Sequence, residues 1–184
     1  MPLPSPEPRE RLHTRRYEFN GYRRADGLWD IEGRMTDVKS YGFDNDYRGR
    51  IEAEEPLHDM RIRLTLDDDF VVRDIETATD ASPFAICPEV APTYKRMIGA
   101  RIARGWRATI RERVGGTAGC THLVEMLDAM ATVAFQTLYP ARKKKEEQGP
   151  PGKRGTLVDT CYAFRSDGPV VKKEWPEFYT GSQK

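Results

Sequence analysis

Met60, Ile62, Leu64 and Leu66 alternate without a break with Arg61, Arg63 and Thr65. Successive side chains of an extended strand leave on opposite faces, so this run describes a strand with one apolar and one polar side. Asp67-Asp68-Asp69 follows as a turn, and the stretch from Phe70 to Ala78 returns as the antiparallel partner. The same pattern occurs earlier. Tyr17, Phe19 and Gly21 alternate with polar neighbours, Ala25-Asp26-Gly27 is a hairpin signal, and Leu28 to Val38 alternates again. A one-sided sheet has to cover its apolar face, and the period then changes to supply the cover. Val90, Tyr94, Met97 and Ile98 fit a helical stripe headed by Pro88 and ended by Gly99. Ile102, Trp106 and Ile110 suggest a second helix. Leu123, Met126, Leu127, Met130, Ala131, Ala134, Phe135 and Leu138 make the third and strongest, with Pro140 as its expected end. The fold class expected is α+β: an antiparallel meander of three to five strands covered on one face by about three helices.

A chain of 184 residues has room for one domain with its own core. The expected division is a disordered, proline-rich lead-in over 1–14, an α+β domain over 15–140, a polar loop over 141–155, and a strand and tail over 156–184 packing on the same domain. Within the domain, Asp44 to Glu55 reads as an irregular charged loop. Thirty basic residues against 29 acidic ones leave a net charge of +1, which argues against a nucleic-acid partner. No run approaches the roughly 18 consecutive apolar residues that span a bilayer, and the N-terminus lacks a secretory apolar region. A cytoplasmic protein without a membrane partner is expected. Its odd count of three cysteines suits reduced thiols rather than structural disulfides.

The chemistry-bearing residues cluster at element boundaries. The chain has three cysteines and three histidines. His58-Asp59 opens the clearest strand, Cys87 precedes Pro88 at the head of the first helix, and Cys120 and His122 begin the third. A helix N-terminus offers unpaired N–H groups and a partial positive charge, which suits a thiolate nucleophile or ligand at Cys120. Cys120 also reads as a small buried hydrophobe at a tight turn, and His58 and His122 as locally hydrogen-bonded histidines. On the functional reading, His58, Cys87 and Cys120 bind zinc or iron and leave one coordination position open. Cys120, His122 and Asp59 then supply catalytic groups, and Arg15, Arg16, Arg23 or Arg24 holds a small anionic ligand. The corresponding activity is that of a metal-dependent hydrolase or lyase. Two other readings stay open. One is a metal-free enzyme with Cys120 as nucleophile and His122 or His58 as base. The other is a non-enzymatic accessory module, homo-oligomeric in one version, with structural cysteines. His13 falls in the lead-in and is given no role, and Cys161 is expected to pack in the late strand.

Two resemblances add to this. The runs Arg24-Ala25-Asp26-Gly27-Leu28-Trp29-Asp30-Ile31-Glu32-Gly33, Leu57-His58-Asp59-Met60-Arg61-Ile62-Arg63-Leu64-Thr65 and Gly119-Cys120-Thr121-His122-Leu123 resemble a bacterial family catalogued only as a domain of unknown function, which implies no activity. Between His58 and Phe135 the pattern is similar to the NifU/IscU-like iron–sulfur scaffold fold. That resemblance would set His58-Asp59, Cys87 and Cys120 at the scaffold's three cysteine positions. Histidine stands at the first of these, proline follows Cys87, and His122 follows Cys120 instead of preceding it. The resemblance therefore implies a mononuclear zinc or iron site more readily than a cluster scaffold.

Overall fold

The computed structural model describes residues 3–148 and 157–181, with the backbone alone for 145–148. The chain divides into two compact units, Met1–Leu138 and Tyr139–Lys184. The first is built on four long antiparallel strands: β1 (His13–Arg23), β2 (Trp29–Lys39), β5 (Pro56–Leu66) and β6 (Val72–Ala81), paired in the order β1-β2-β5-β6. Between β2 and β5 the chain makes a small hairpin of β3 (Phe43–Asn45) and β4 (Gly49–Ile51). Two helices and two 3-10 pieces follow: the 3-10 segment Cys87–Met97, α1 (Trp106–Val114), a single 3-10 turn at Gly116–Ala118, and α2 (Thr121–Thr137).

The register explains the layering. Trp29, Ile31 and Met35 of β2 stand opposite Leu66, Leu64 and Met60 of β5, all buried. They form the inner face. α2 lies across it, contacting β1, β2 and β5, and buries Leu123, Met126, Leu127, Met130 and Ala134 there. α1 packs on α2 and on the 3-10 segment, which itself rests on β6. The Trp106 indole N–H donates to the Leu127 carbonyl at 3.0 Å, satisfying a buried polar group between the two α-helices. At the far end α2 comes so close to β1 that a Cβ on Gly21 would lie 1.9 Å from Thr137 Oγ1. The outer face carries a charged ladder instead. Arg63 bridges Glu32 (2.8 Å) and Glu76 (2.9 Å), and Arg61 pairs with Asp80 at 2.9 Å.

The antiparallel α+β architecture with helical cover on one face is as the sequence implies, and several details differ. β1 starts at His13, so the sheet takes in two residues, His13 and Thr14, assigned to the lead-in. The stretch expected to be an irregular loop contains the β3–β4 hairpin. His58 and Asp59 lie inside β5, not at its entrance, because Asp37 and Thr36 of β2 continue the pairing alongside them. Phe70 sits outside β6 with φ of 64°, closing the Asp67 turn through a 3.0 Å bond from its N–H to the Asp67 carbonyl. The first helical segment is 3-10 rather than α, with Pro92 inside it.

In the second unit, α3 spans Tyr139–Gln148. Pro140 is the second residue of this helix, where a missing N–H breaks no intrahelical bond, so it opens a helix instead of marking an end. The polar loop expected over 141–155 is thus helical as far as Gln148, and Gly149 to Gly152 lie outside the described residues. The strand expected from Thr156 to Phe164 is replaced by a turn and a 3-10 turn at Tyr162–Phe164 among the described residues. Asp159 has a left-handed φ of 61°, and its carboxylate accepts from the Ser166 N–H at 2.8 Å. α4 (Pro169–Glu174) follows, and Phe164 meets Trp175 edge-on at 5.5 Å. No helix among the described residues is long and apolar enough to cross a membrane.

Candidate metal centre

One cross-strand row of the inner face is polar. Arg15 of β1 stands opposite Asp37 of β2, and Asp37 opposite His58 of β5. These positions continue the apolar registers Tyr17–Phe19, Trp29–Ile31–Met35 and Met60–Ile62–Leu64, so period two carries all three side chains to the helix-covered side. The row lies where α2 begins. Cys120 is the residue before the first helical turn, and His122 is in that turn.

Asp37 is the hub. Its side chain is 2 % exposed. Arg15 grips both oxygens, from Nε at 2.8 Å and from Nη2 at 2.7 Å. His13 Nε2 donates to Oδ1 at 2.9 Å, and His58 Nδ1 lies 3.0 Å from Oδ2. Burial pushes the carboxyl upward, but the hydrogen bonds from Arg15 and His13 overcome it and hold Asp37 down at about 2. The Arg15 guanidinium is raised in turn by its bond to Asp37, against burial. Its remaining contacts are to Tyr17 Oη and Glu125, and the Tyr17 hydroxyl donates to Glu125 at 2.6 Å.

His58 and His122 face one another with ring centroids 4.2 Å apart. Burial pushes the pKa of both below the usual imidazole value. For His58 the neighbouring His122 adds to this, and for His122 the positive charge of Arg15 does. Both rings are therefore neutral at pH 7 and keep a lone pair each. One ligand atom from each of Asp37, His58 and His122 lies within 4.8 Å of the other two. A carboxylate and two neutral imidazoles at that spacing can hold a divalent ion.

The turn before α2 is held from below. The Tyr94 hydroxyl accepts from the Cys120 N–H at 3.0 Å and donates to the Cys120 carbonyl at 3.2 Å. Burial raises the Tyr94 phenol to about 12, so it keeps the proton it donates. The thiol itself makes no capping bond. Its Sγ lies 3.7 Å from His122 Nδ1 and 4.0 Å from Met60 Sδ.

Of the residues singled out in the sequence, His58, Cys120 and His122 meet at this corner. The others sit elsewhere. Asp59 is on the outer face of β5, its carboxylate bound by Arg34 at 2.9 and 2.6 Å, because neighbours in a strand point to opposite sides. The Arg34 bond holds its pKa down. Cys87 starts the 3-10 segment, and it joins no set of three such ligands among the described residues. Arg15 is engaged by Asp37, and Arg16 belongs to the opposite face of β1. Arg23 lies over the Trp29 ring at 5.5 Å, and Arg24 pairs with Asp26 at 2.7 Å, both at the other end of β1. Asp37 and His13 were not singled out. Their signal was the register: each is a polar residue at an inner-face position. Replacing Asp59 with Asn is expected to lower stability by about 1–2 kcal/mol, because the buried carboxylate gives up its charge-assisted bonds to Arg34, and to leave metal uptake unaltered. Chemical denaturation and metal analysis of Asp59→Asn check this, and a loss of bound ion would return Asp59 to the site.

The model of one protein family, described as a protein of unknown function, matches residues 13–136, which contain the whole cluster. No curated protein and no solved structure matches the chain, so the NifU/IscU-like likeness gains no support.

Proposed function

The chain belongs to the DUF2889 family of proteins of unknown function, and from its own geometry we propose that it is a metalloprotein whose ion is held by Asp37, His58 and His122. The observation that carries this is the convergence of one carboxylate and two neutral imidazoles within 4.8 Å at a buried corner of the sheet. The 3.0 Å between His58 Nδ1 and Asp37 Oδ2 fits the same reading. Two nitrogen or oxygen ligands about 2.0–2.2 Å from one ion stand roughly 3 to 3.5 Å apart, so the ion takes the place of the proton these atoms share. Arg15 and His13 keep the remaining lone pairs of the carboxylate occupied and fix its plane. Nitrogen ligands of this kind favour zinc or ferrous iron over magnesium and calcium.

Three protein ligands leave a position open to a small molecule. An ion there would act as a Lewis acid on a carbonyl or phosphoryl oxygen, which is the chemistry of a hydrolase or lyase. The protein's own part is to exclude water with the α2 turn and to orient the ligands. Because Arg15 is already bound to Asp37, an anionic substrate would meet the ion rather than a free arginine.

Untagged protein dialysed against zinc or anaerobic ferrous iron is expected to retain close to one ion per chain by elemental analysis. His58→Ala and His122→Ala are expected to retain almost none while folding normally by circular dichroism. Full metal retention in both variants, or none in the parent, overturns the reading.

A further inference from the structure

We infer that Cys120 is the fourth ligand of this centre, which makes its donor set two nitrogens, one oxygen and one sulfur; this rests on the metal reading above. Two ligand edges meet at the corner. The first is Asp37 Oδ2 to His58 Nδ1, at 3.0 Å. The second is His122 Nδ1 to Cys120 Sγ, at 3.7 Å. A thiolate about 2.3 Å and an imidazole nitrogen about 2.0 Å from one tetrahedral ion stand about 3.5 Å apart, so the second edge is close to a coordinated length as it stands. The His58 and His122 ring centroids stand 4.2 Å apart, which brings the two pairs to the same corner.

The sulfur is not among the atoms that lie within 4.8 Å of one another, so it has to swing inward to close the set. The thiol makes no capping bond, and its neighbours are an imidazole and the soft thioether of Met60. A staggered step about its Cα–Cβ bond moves Sγ, and the His122 ring has to turn with it to keep the pair at that separation, while Tyr94 keeps the backbone of Cys120 in place from both its N–H and its carbonyl.

A thiolate changes what the centre selects. Asp, His and His alone accept manganese or ferrous iron readily, whereas an added sulfur favours zinc and disfavours hard ions. It also closes the tetrahedron at rest. A substrate oxygen would reach the ion only as the thiolate lifts away or as the coordination expands to five.

Cobalt(II) reports each ligand class separately. Titrating cobalt(II) alone into the full chain is expected to give visible ligand-field bands together with an intense sulfur-to-cobalt charge-transfer band in the near ultraviolet. Cys120→Ser should keep weakened ligand-field bands, lose the charge-transfer band and bind at least roughly tenfold more weakly. Cys87→Ser/Cys161→Ser should keep both features. Ligand-field bands without the charge-transfer band in the parent would overturn the role of Cys120 and leave the three-residue centre standing. A charge-transfer band that survives in Cys120→Ser would overturn it too. Absence of any cobalt binding in the parent would remove both readings and leave Cys120 and His122 as a metal-free thiol–imidazole pair.

Discussion

Gly119→Ala is expected to lower the stability of the Met1–Leu138 unit by about 3 kcal/mol or more, at the upper end of what overpacking costs. A Cβ at position 119 would stand 1.8 Å from the Val114 carbonyl oxygen and 3.3 Å from the Tyr94 hydroxyl. The first obstacle is backbone at the end of α1, so no side-chain rotation relieves it. Either α1 or the turn into α2 has to move. Moving the turn breaks the two bonds that Tyr94 makes to Cys120 and carries His122 away from His58. The expected result is a melting midpoint lower by roughly 10 °C, with weakened metal retention in whatever protein stays folded. Gly27→Ala is the contrasting case. Gly27 has φ of 88° in the β1–β2 turn, and nothing lies within 4 Å of the added Cβ. Only the left-handed backbone opposes the side chain, at about 1–2 kcal/mol, and the metal site should not notice. Thermal unfolding of the two variants checks the pair. Equal midpoints would mean that the approach of Gly119 to Val114 does not constrain this corner.

The sheet was readable because it obeys a simple period. Every buried residue of β5 from Met60 to Leu66 except Thr65 sits on the alternation seen in the sequence, and the stripe of α2 falls on the residues it buries. The same period contained more than was taken from it. Counting by twos from Ile31 through Gly33 and Met35 reaches Asp37. Counting back from Phe19 through Tyr17 and Arg15 reaches His13, and back from Ile62 through Met60 reaches His58. A charged or titratable residue at an apolar register position is costly unless it is paired, so Arg15, Asp37 and His58 marked a polar row on the inner face, with His13 at its edge. The count also separates His58 from Asp59, which face opposite sides of the sheet. What the period does not carry is which rows become neighbours of a helix start some sixty positions later. That Cys120 and His122 arrive at this row, while Cys87 joins no such group among the described residues, depends on the path of α1 and the Gly119 turn, which local pattern leaves undetermined. The ends of elements failed for a local reason. Pro140 serves equally as a stop or as an early residue of a new helix, and only the chain beyond it decides between the two.

Asp37→Asn is expected to cost the metal-free protein about 2 kcal/mol near neutral pH, and to reduce the loss of stability that the parent shows below about pH 4. The sign follows from the shift. Asp37 is held at about 2 in the folded chain, against an ordinary value of 3.8. Between those values the unfolded chain takes up a proton that the folded chain refuses. The contribution is therefore complete above about pH 4 and fades as the pH falls toward 2. Asparagine fits the same space but offers an amide donor where His13, Arg15 and His58 all donate, so the charge and part of the hydrogen bonding disappear together. The histidines act in a higher window with the same sign. His58 and His122 have folded pKa values below the ordinary 6.5. Their contribution is complete above that value and is lost as the pH falls through it, because the unfolded chain protonates first. Urea midpoints of the chelator-treated parent should therefore decline in two stages on acidification, the first below about pH 6.5 and the second below about pH 4. The second stage should be smaller in Asp37→Asn, where Asp59, Asp67 and the other depressed aspartates still contribute, and the first should be reduced in His122→Ala. Asp37→Asn should also fail to retain zinc, since the carboxylate is a ligand in the centre proposed above. An acid limb unchanged by the substitution would show that Asp37 does not carry the charge at the middle of this network.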